Sequence, residues 1–168
     1  WNDCDGMEVM PLDSPHPVET TLFVFRVRDD DGYKSYAHWA DIVSLKVLRR
    51  LLGESPAKEV LPPDFWETVR ERYLTPATLK KIDAGGGMIH GEPLDFVEDR
   101  SEKIVLAHRA AAFAAEELEV GSQASFGAVD VLVPTSQDYL RQRAHRFFRH
   151  YFPDADMDGL NALLRSPV

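Results

Sequence analysis

The sequence predicts one α/β domain in which a β-hairpin and later strands alternate with helices. The clearest hairpin joins a strand over 21–27 to a strand over 33–37 through the turn sequence D-D-D-G at 29–32. A strand passes directly into a helix near Asp41, and the same step recurs near His108. At 168 residues, the chain is long enough for a single domain that buries about two-thirds of its unfolded surface. These patterns are typical of an α/β layered domain.

The first third of the chain predicts a strand, the hairpin and a helix. A strand over 7–12 ends at D-S-P, and a proline on each side of His16 keeps this histidine in an extended loop. After the hairpin, Asp41 is well placed as the N-cap of a helix whose apolar residues lie within 42–52. Gly53 is expected to end this helix.

The rest of the chain predicts a helical insert, two further strands and C-terminal helices. Prolines at 62 and 63 open one helix of the insert, and Thr75 begins another that includes Leu79 and Ile82. The remaining predicted elements are a strand over 103–108, a helix over 109–118, a strand over 128–133, a long helix capped by Ser136 and a last helix over about 157–164. The predicted domain 1–168 thus consists of a sheet-forming core (1–53 and 84–134), a helical insert (54–83) and C-terminal helices (135–168).

The composition restricts the compartment and the partners. Lys and Arg total 19 against 28 Asp and Glu, and the net charge of −9 argues against broad nucleic-acid binding. The single cysteine, Cys4, excludes an internal disulfide and a multi-cysteine zinc site, so we expect a cytoplasmic protein. No apolar run approaches the ~20 residues of a membrane helix, so we expect no membrane partner. The arginine-rich stretch 141–149 is interpreted as a solvated face.

His16, Asp41 and His108 are the candidate ligands of a metal ion. Asp41 and His108 stand at predicted strand ends, and strand ends of an open α/β sheet face the crevice where ligands bind. Imidazole nitrogens and carboxylate oxygens are the ligands that zinc, iron and manganese accept. Two other interpretations stay open at this point: hydrogen-bonded structural histidines, and an Asp41 that only caps a helix.

Three short motifs resemble a known family. They are S-P-H-P-V-E-T with His16, Y-A-H-W-A-D with Asp41 and K-I-V-L-A-H with His108. In this order they resemble the three later metal-ligand motifs of metallo-β-lactamase-fold hydrolases, and the apolar strand before His108 is similar to that of the ribonuclease Z-like branch. The resemblance spans roughly residues 7–134. The family's H-x-H-x-D-H motif does not occur in the 168 residues, so the resemblance is to the C-terminal half of the fold.

The resemblance implies half of an αββα layered sandwich and a metal-dependent hydrolase. His16, Asp41 and His108 would hold one or two divalent ions, zinc first, with iron or manganese as alternatives. The metal would activate water against an ester or a phosphodiester, in a small molecule or a larger substrate. By analogy, His90 would protonate the leaving group, and His38 would replace or orient Asp41.

Half of a fold also implies a partner. We expect residues upstream of Trp1, a companion chain that supplies the N-terminal half, or a homo-oligomer, because half of a sandwich leaves apolar sheet exposed. The alternative function is a non-catalytic sensing or interaction domain. The segment from Ile104 onward is also similar to the part of some bacterial proteins that joins this fold to a cyclic-nucleotide-binding module. An H-x-H-x-D-H segment upstream or in a companion chain would favour the hydrolase.

Overall fold

The computed structural model describes residues 1–16, 18–29, 32–54 and 62–125, together with 127, 132 and 149. The strands are β1 (Asn2–Cys4), β2 (Met7–Asp13), β3 (Thr21–Asp29), β4 (Gly32–Trp39), β5 (Leu79–Asp83), β6 (Lys103–Ala107) and β7 (Ser122–Gln123). The helices are α1 (Leu45–Glu54), α2 (Phe65–Tyr73), a 3₁₀ helix (Pro93–Phe96) and α3 (Ala115–Leu118). The chain divides into two compact units, Trp1–Leu132 and Val133–Val168, and all of these elements lie in the first.

The strands form one mixed sheet in chain order, from β1 to β7. From β1 to β4 the neighbours are antiparallel, and from β4 to β7 they are parallel. Parallel neighbours end at the same edge of a sheet, so the carboxyl ends of β4, β5 and β6 lie side by side. The predicted α/β class is confirmed, and this edge positions the candidate site.

The predicted hairpin is confirmed as β3 and β4. Phe23 is the register partner of His38, and Asp29 is the partner of Gly32 at the turn. Leu22 and Val24 are buried on one face of β3, which is the alternation that the sequence predicted. The second strand is longer than predicted and runs on to Trp39.

The helices α1 and α2 cover this buried face and fix the end of β4. The indole Nε1 of Trp39 donates a hydrogen bond to the carbonyl oxygen of Tyr73 at 3.0 Å, and the Tyr73 hydroxyl donates to the carbonyl oxygen of Val43 at 3.0 Å. Leu48 of α1 and Val69 of α2 pack into the same cluster. Because their polar atoms are paired, these large aromatic side chains are buried without an unsatisfied donor.

The predicted helix from Thr75 is wrong, since Leu79–Asp83 forms β5 between β4 and β6. Lys80 and Ile82 both face the core from this strand. Because lysine is rarely buried, the sequence L-K-K-I-D did not indicate that Lys80 and Ile82 share the buried face of a strand. Of the predicted helical insert 54–83, the α2 segment is helical, whereas β5 belongs to the sheet.

Asp41 was predicted to be the N-cap of α1, and this prediction is wrong. The helix begins at Leu45, and its backbone N–H donates to Oδ2 of Asp95, a residue of the 3₁₀ helix, at 3.1 Å. Asp95 therefore caps α1 from a distant part of the chain. The carboxylate of Asp41 is left without the structural role that the sequence offered for it. Gly53 does not end the helix but lies in its last turn.

Other boundaries differ from the prediction. The strand over 103–108 ends at Ala107, and the helix predicted over 109–118 is reduced to the single turn of α3. No pattern predicted the short strands β1 and β7. The strand predicted over 128–133 and the helices predicted over 135–168 lie outside the described residues, except for isolated positions. In the described part of the chain, no helix is long and apolar enough to cross a membrane.

Candidate functional site at the carboxyl ends of the parallel strands

Three polar side chains follow the parallel strands at this edge. Asp41 comes two residues after β4, His108 comes directly after β6, and His90 lies in the loop after β5. In open α/β sheets, the carboxyl ends of the strands are where ligand-binding groups gather. The strand order brings together residues that are far apart in the sequence.

Asp41, His90 and His108 form a contacting cluster. The ring centroids of His90 and His108 lie 4.4 Å apart, with an interplanar angle of 52°. Nδ1 of His90 lies 3.9 Å from Oδ1 of Asp41, which is an ion-pair distance for a protonated imidazole and too long for a hydrogen bond. The His90 side chain is 14% exposed, whereas that of Asp41 is 51% exposed. A half-buried imidazole thus lies between an exposed carboxylate and an exposed imidazole.

Nδ1 of His90 is a buried polar atom without a hydrogen-bond partner. Nearly all buried polar atoms in proteins have a partner, and an orphaned one costs about 1–3 kcal/mol. In known structures, such an atom is explained by stored strain, by a catalytic role or by a bound water or ion. The orphaned nitrogen of His90 faces the carboxylate of Asp41, since 3.9 Å separates the two atoms.

Glycines allow the loop after β5 to hold His90 in place. A Cβ on Gly85 would come within 2.7 Å of Cδ2 of His90 and 3.3 Å of the carbonyl oxygen of His108. Gly86 and Gly87 have φ values of +78° and +81°, which favour glycine. The Gly86 N–H donates to the carbonyl oxygen of Gly91 at 2.9 Å and closes the loop around His90. The sequence G-G-G before His90 is therefore required by packing and backbone conformation.

The backbone of His108 is strained. Its φ is +60°, in the left-handed region that residues other than glycine rarely adopt. Such a conformation costs on the order of 1–3 kcal/mol and clusters at active sites and ligand clamps. Beside it, the Ala84 N–H donates to the carbonyl oxygen of Ala107 at 2.9 Å and ties β5 to the end of β6. With this backbone conformation, the ring centroid of His108 lies 4.4 Å from that of His90.

His16 lies in the extended loop between β2 and β3. Its Nδ1 lies 3.1 Å from the carbonyl oxygen of Val18 and 3.3 Å from the Val18 N–H. With the proton on Nδ1, this nitrogen donates to the carbonyl oxygen and Nε2 keeps a lone pair; with the proton on Nε2, Nδ1 accepts from the N–H instead. Nε2 is buried and has no hydrogen-bond partner. The same loop is attached to the cluster, because the Ser14 hydroxyl donates to the carbonyl oxygen of Asp41 at 2.8 Å. A histidine fixed through one nitrogen, with the other free, has the form of a metal-ligating imidazole.

No group of three or more His, Cys, Asp or Glu side chains is arranged to hold a metal ion within residues 1–16, 18–29, 32–54 and 62–125. The structure brings Asp41 and His108 together with His90, and it links His16 to them through Ser14. The donor types of this set suit a divalent metal, and Nε2 of His16 is a buried nitrogen without a partner, whereas the orphaned Nδ1 of His90 belongs to the predicted general acid. The metal set of His16, Asp41 and His108 stays a prediction.

His38 is held on the face of β4 opposite the core. Its Nδ1 lies 2.8 Å from the Tyr36 hydroxyl, and the two rings meet edge to face. Burial lowers the pKa of His38, the cation of Lys81 lowers it further, and the carboxylate of Asp83 opposes both. The imidazole therefore favours its neutral form. Its supporting role toward Asp41 stays a prediction.

Asp83 is a residue of this edge that sequence reasoning missed. It is buried at the last position of β5, and its Oδ1 lies 2.5 Å from Nζ of Lys81. The same oxygen makes no directed hydrogen bond, so the contact is an ion pair. The signal was a carboxylate between an apolar residue and a glycine run in I-D-A-G-G-G. It was obscured because this stretch was interpreted as the end of a helix.

Comparisons with known proteins give little beyond the fold class. In sequence comparisons, no protein family and no curated protein matched the chain. Among solved structures, the chain is similar to the metallo-β-lactamase fold protein YhfI from Bacillus subtilis, with a TM-score of 0.44 and 12% identity. The match covers 73% of this chain and 47% of that protein, so the chain spans about half its length. A TM-score of this size is too low to assign a fold family, a branch or a function.

Proposed function

We propose that this edge of the sheet belongs to a metal-dependent hydrolase that acts on an ester or a phosphodiester. The observation that carries the proposal is the contact of Asp41 and His108 with His90 at the ends of three adjacent parallel strands. Groups with metal-ligating and proton-transferring chemistry meet where α/β sheets bind ligands. The motif resemblance around His16, Asp41 and His108 points in the same direction.

His16, Asp41 and His108 would hold the metal. His16 offers a free Nε2 lone pair in the tautomer that donates from Nδ1 to Val18, and Asp41 offers an exposed carboxylate. A bound zinc, iron or manganese ion supplies a Lewis acid that polarises an ester or phosphoryl oxygen and acidifies water. The described residues alone do not complete a metal site. The proposal therefore includes further ligands from a companion segment or chain.

His90 would deliver the proton to the leaving group. It is half-buried, its ring is held against Gly85, and a carboxylate lies 3.9 Å from its Nδ1. His108 on the other side of the ring restricts its rotation. Through these contacts, the ring of His90 would be held in place to give its proton to the leaving group.

The test is metal content and hydrolysis in the protein purified from its native host with any chain that accompanies it. We expect stoichiometric metal, and hydrolysis of bis(p-nitrophenyl) phosphate or p-nitrophenyl acetate. Asp41→Asn should lose metal, whereas His90→Asn should keep it and lose about 10²–10⁴ in kcat. Asp64→Asn, an exposed carboxylate that makes no cap hydrogen bond, is the matched control for Asp41.

Retained metal in both Asp41→Asn and His108→Asn would remove these residues from the site. A wild-type protein without metal or turnover would overturn the hydrolase and leave the non-catalytic sensing or interaction domain.

A further inference from the structure

A groove lies between α1, α2 and the 3₁₀ helix, away from the cluster of Asp41, His90 and His108. Its cavity has a volume of about 310 Å³, which is within the range of small-molecule sites. The lining includes three cationic side chains, one indole and two exposed apolar side chains: Lys46, Arg49, Arg70, Trp66, Leu94 and Val97. We call it the Trp66 groove.

Two guanidinium groups stack on the indole of the Trp66 groove. The Cζ atom of Arg49 lies 4.4 Å from the Trp66 ring centroid, and that of Arg70 lies 6.0 Å from it. Cation–π contacts of this kind hold an arginine in place while its N–H donors remain available. The Nε1 of Trp66 is buried and has no hydrogen-bond partner. Two cations of the groove therefore lie against an indole whose N–H is buried and unsatisfied.

The carboxylates of the groove are already engaged. Glu98 forms an ion pair with Arg70. Asp95 accepts two backbone hydrogen bonds, from Leu45 at 3.1 Å and from Glu92 at 3.0 Å. Both hydrogen bonds to Asp95 come from neutral N–H groups and reach Oδ2, so of these two carboxylates Glu98 is the one that is paired with a cation of the groove.

Lys46 and Arg49 have no carboxylate partner in the described part of the chain. Both project from the exposed side of α1. Among the described residues, two neighbouring cations without a carboxylate partner beside the Trp66 indole are unusual in a protein with a net charge of −9. Free donors without acceptors are the complement of an oxyanion.

Apolar surface continues from these donors. A second cavity of about 530 Å³ shares Arg49 and Trp66 with the first, and its remaining lining is apolar except for Glu67: Leu52, Pro62, Pro63 and Phe65. At the rim of the first cavity, two apolar side chains are exposed, Leu94 by 49% and Val97 by 65%. A ligand that fills both cavities would have an anionic head and an apolar body.

We infer that the Trp66 groove binds a small organic anion, in which a carboxylate or a phosphate monoester is carried on an apolar or aromatic body. Arg49 and Lys46 bind the oxyanion, and the body lies against the indole of Trp66 and the apolar lining. Guanidinium groups bind carboxylate and phosphate in the same forked manner, so both head groups share this chemistry. The inference does not depend on the proposed hydrolase, because it uses none of its residues.

The test titrates phenyl phosphate, benzoate, inorganic phosphate and benzyl alcohol into ¹⁵N-labelled protein. The readout is the Nε1–H resonance of Trp66, which the variant Trp66→Phe identifies. We expect a saturable shift with a Kd of about 1 mM or tighter for phenyl phosphate, benzoate or both, and the stronger of the two identifies the head group. Inorganic phosphate should bind more weakly, and benzyl alcohol should not shift the resonance.

Two matched substitutions on α1 distinguish the loss of a cation in the groove from a change in the net charge of the protein. Arg49→Gln should weaken binding at least about tenfold, whereas Arg50→Gln, an exposed neighbour outside the groove, should leave it unchanged. Both glutamines preserve helix propensity, so both variants are expected to fold. The inference is overturned if no anion gives a saturable shift of the Trp66 resonance, or if Arg49→Gln and Arg50→Gln bind equally.

Discussion

Lys80→Met should destabilise the protein by about 3–5 kcal/mol, because it leaves a buried carboxylate without its ion-pair partner. The side chains of Lys80 and Asp99 are both 0% exposed, and they form an ion pair beneath the sheet. Nζ of Lys80 also donates to the carbonyl oxygen of Tyr73 at 2.8 Å. Burial lowers the pKa of Lys80, and Asp99 opposes this effect, so the cation depends on its partner. Removal of Lys80 leaves Oδ2 of Asp99 without that partner.

The double variant Lys80→Met/Asp99→Asn should recover most of this loss. Replacing both charges of a buried pair with neutral groups is often close to neutral in stability, whereas removing one of them is not. The asparagine can still accept the hydrogen bond that Asp99 Oδ1 receives from the Ser101 N–H at 2.7 Å. Equilibrium unfolding in urea measures both variants, and Lys46→Met on the exposed face of α1 should stay within about 0.5 kcal/mol of the wild type.

This reasoning is refuted if Lys80→Met costs less than about 1 kcal/mol, or if the two substitutions add without coupling. Either result would mean that the pair is solvated and that β5 is not locked into the core through Lys80.

Three further predictions concern the candidate site and the backbone. Gly85→Ala should displace the ring of His90 and cost about 1–3 kcal/mol, because the new Cβ would lie 2.7 Å from that ring; unchanged His90 NMR shifts would argue against the described packing. The pKa of His38 is lowered from 6.5, so the free energy of unfolding should fall as the pH falls from 6.5 through the folded-state pKa. In urea unfolding at a series of pH values, the variant His38→Gln should lack this pH dependence. The same pH dependence in the variant and the wild type would contradict the prediction. Gly53→Ala should stabilise the protein by about 0.5–1 kcal/mol, because nothing lies within 4 Å of the new Cβ. Gly121→Ala should destabilise it by about 1–3 kcal/mol, because the new Cβ would lie 2.8 Å from the backbone oxygen of Ile104. Equal midpoints of the two variants in thermal unfolding would contradict both predictions.

The local sequence pattern was sufficient to predict a strand where its apolar residues are buried by neighbouring elements. The β3–β4 hairpin was predicted from its β-branched and aromatic residues and its turn sequence, and the strand before His108 was predicted from a short apolar run. The same logic failed at β5, where the buried Lys80 carries a charge that Asp99 compensates from elsewhere in the chain. A pattern read along one segment does not contain the partner that makes a buried lysine acceptable.

The candidate site was predictable at its strand ends and not in its geometry. Asp41 and His108 were identified because carboxylate and imidazole groups directly follow predicted strands. The contact of His90 with both of them depends on the order of β4, β5 and β6 and on Gly85 beneath its ring. The Asp95 cap of α1 is likewise a tertiary contact, which is why Asp41 was wrongly assigned that role.

A titration with zinc, followed by the side-chain ¹⁵N resonances of the histidines, tests the central claim most directly. In the metal-stripped protein, purified together with any chain that accompanies it, we expect the resonances of His16 and His108 to change together as one equivalent of zinc is added, and those of His90 to respond as their neighbour. His38, whose Nδ1 lies 2.8 Å from the Tyr36 hydroxyl, should not change. Zinc in excess that leaves His16 and His108 unchanged, or that shifts His38 equally, would contradict a metal site at the carboxyl ends of the parallel strands.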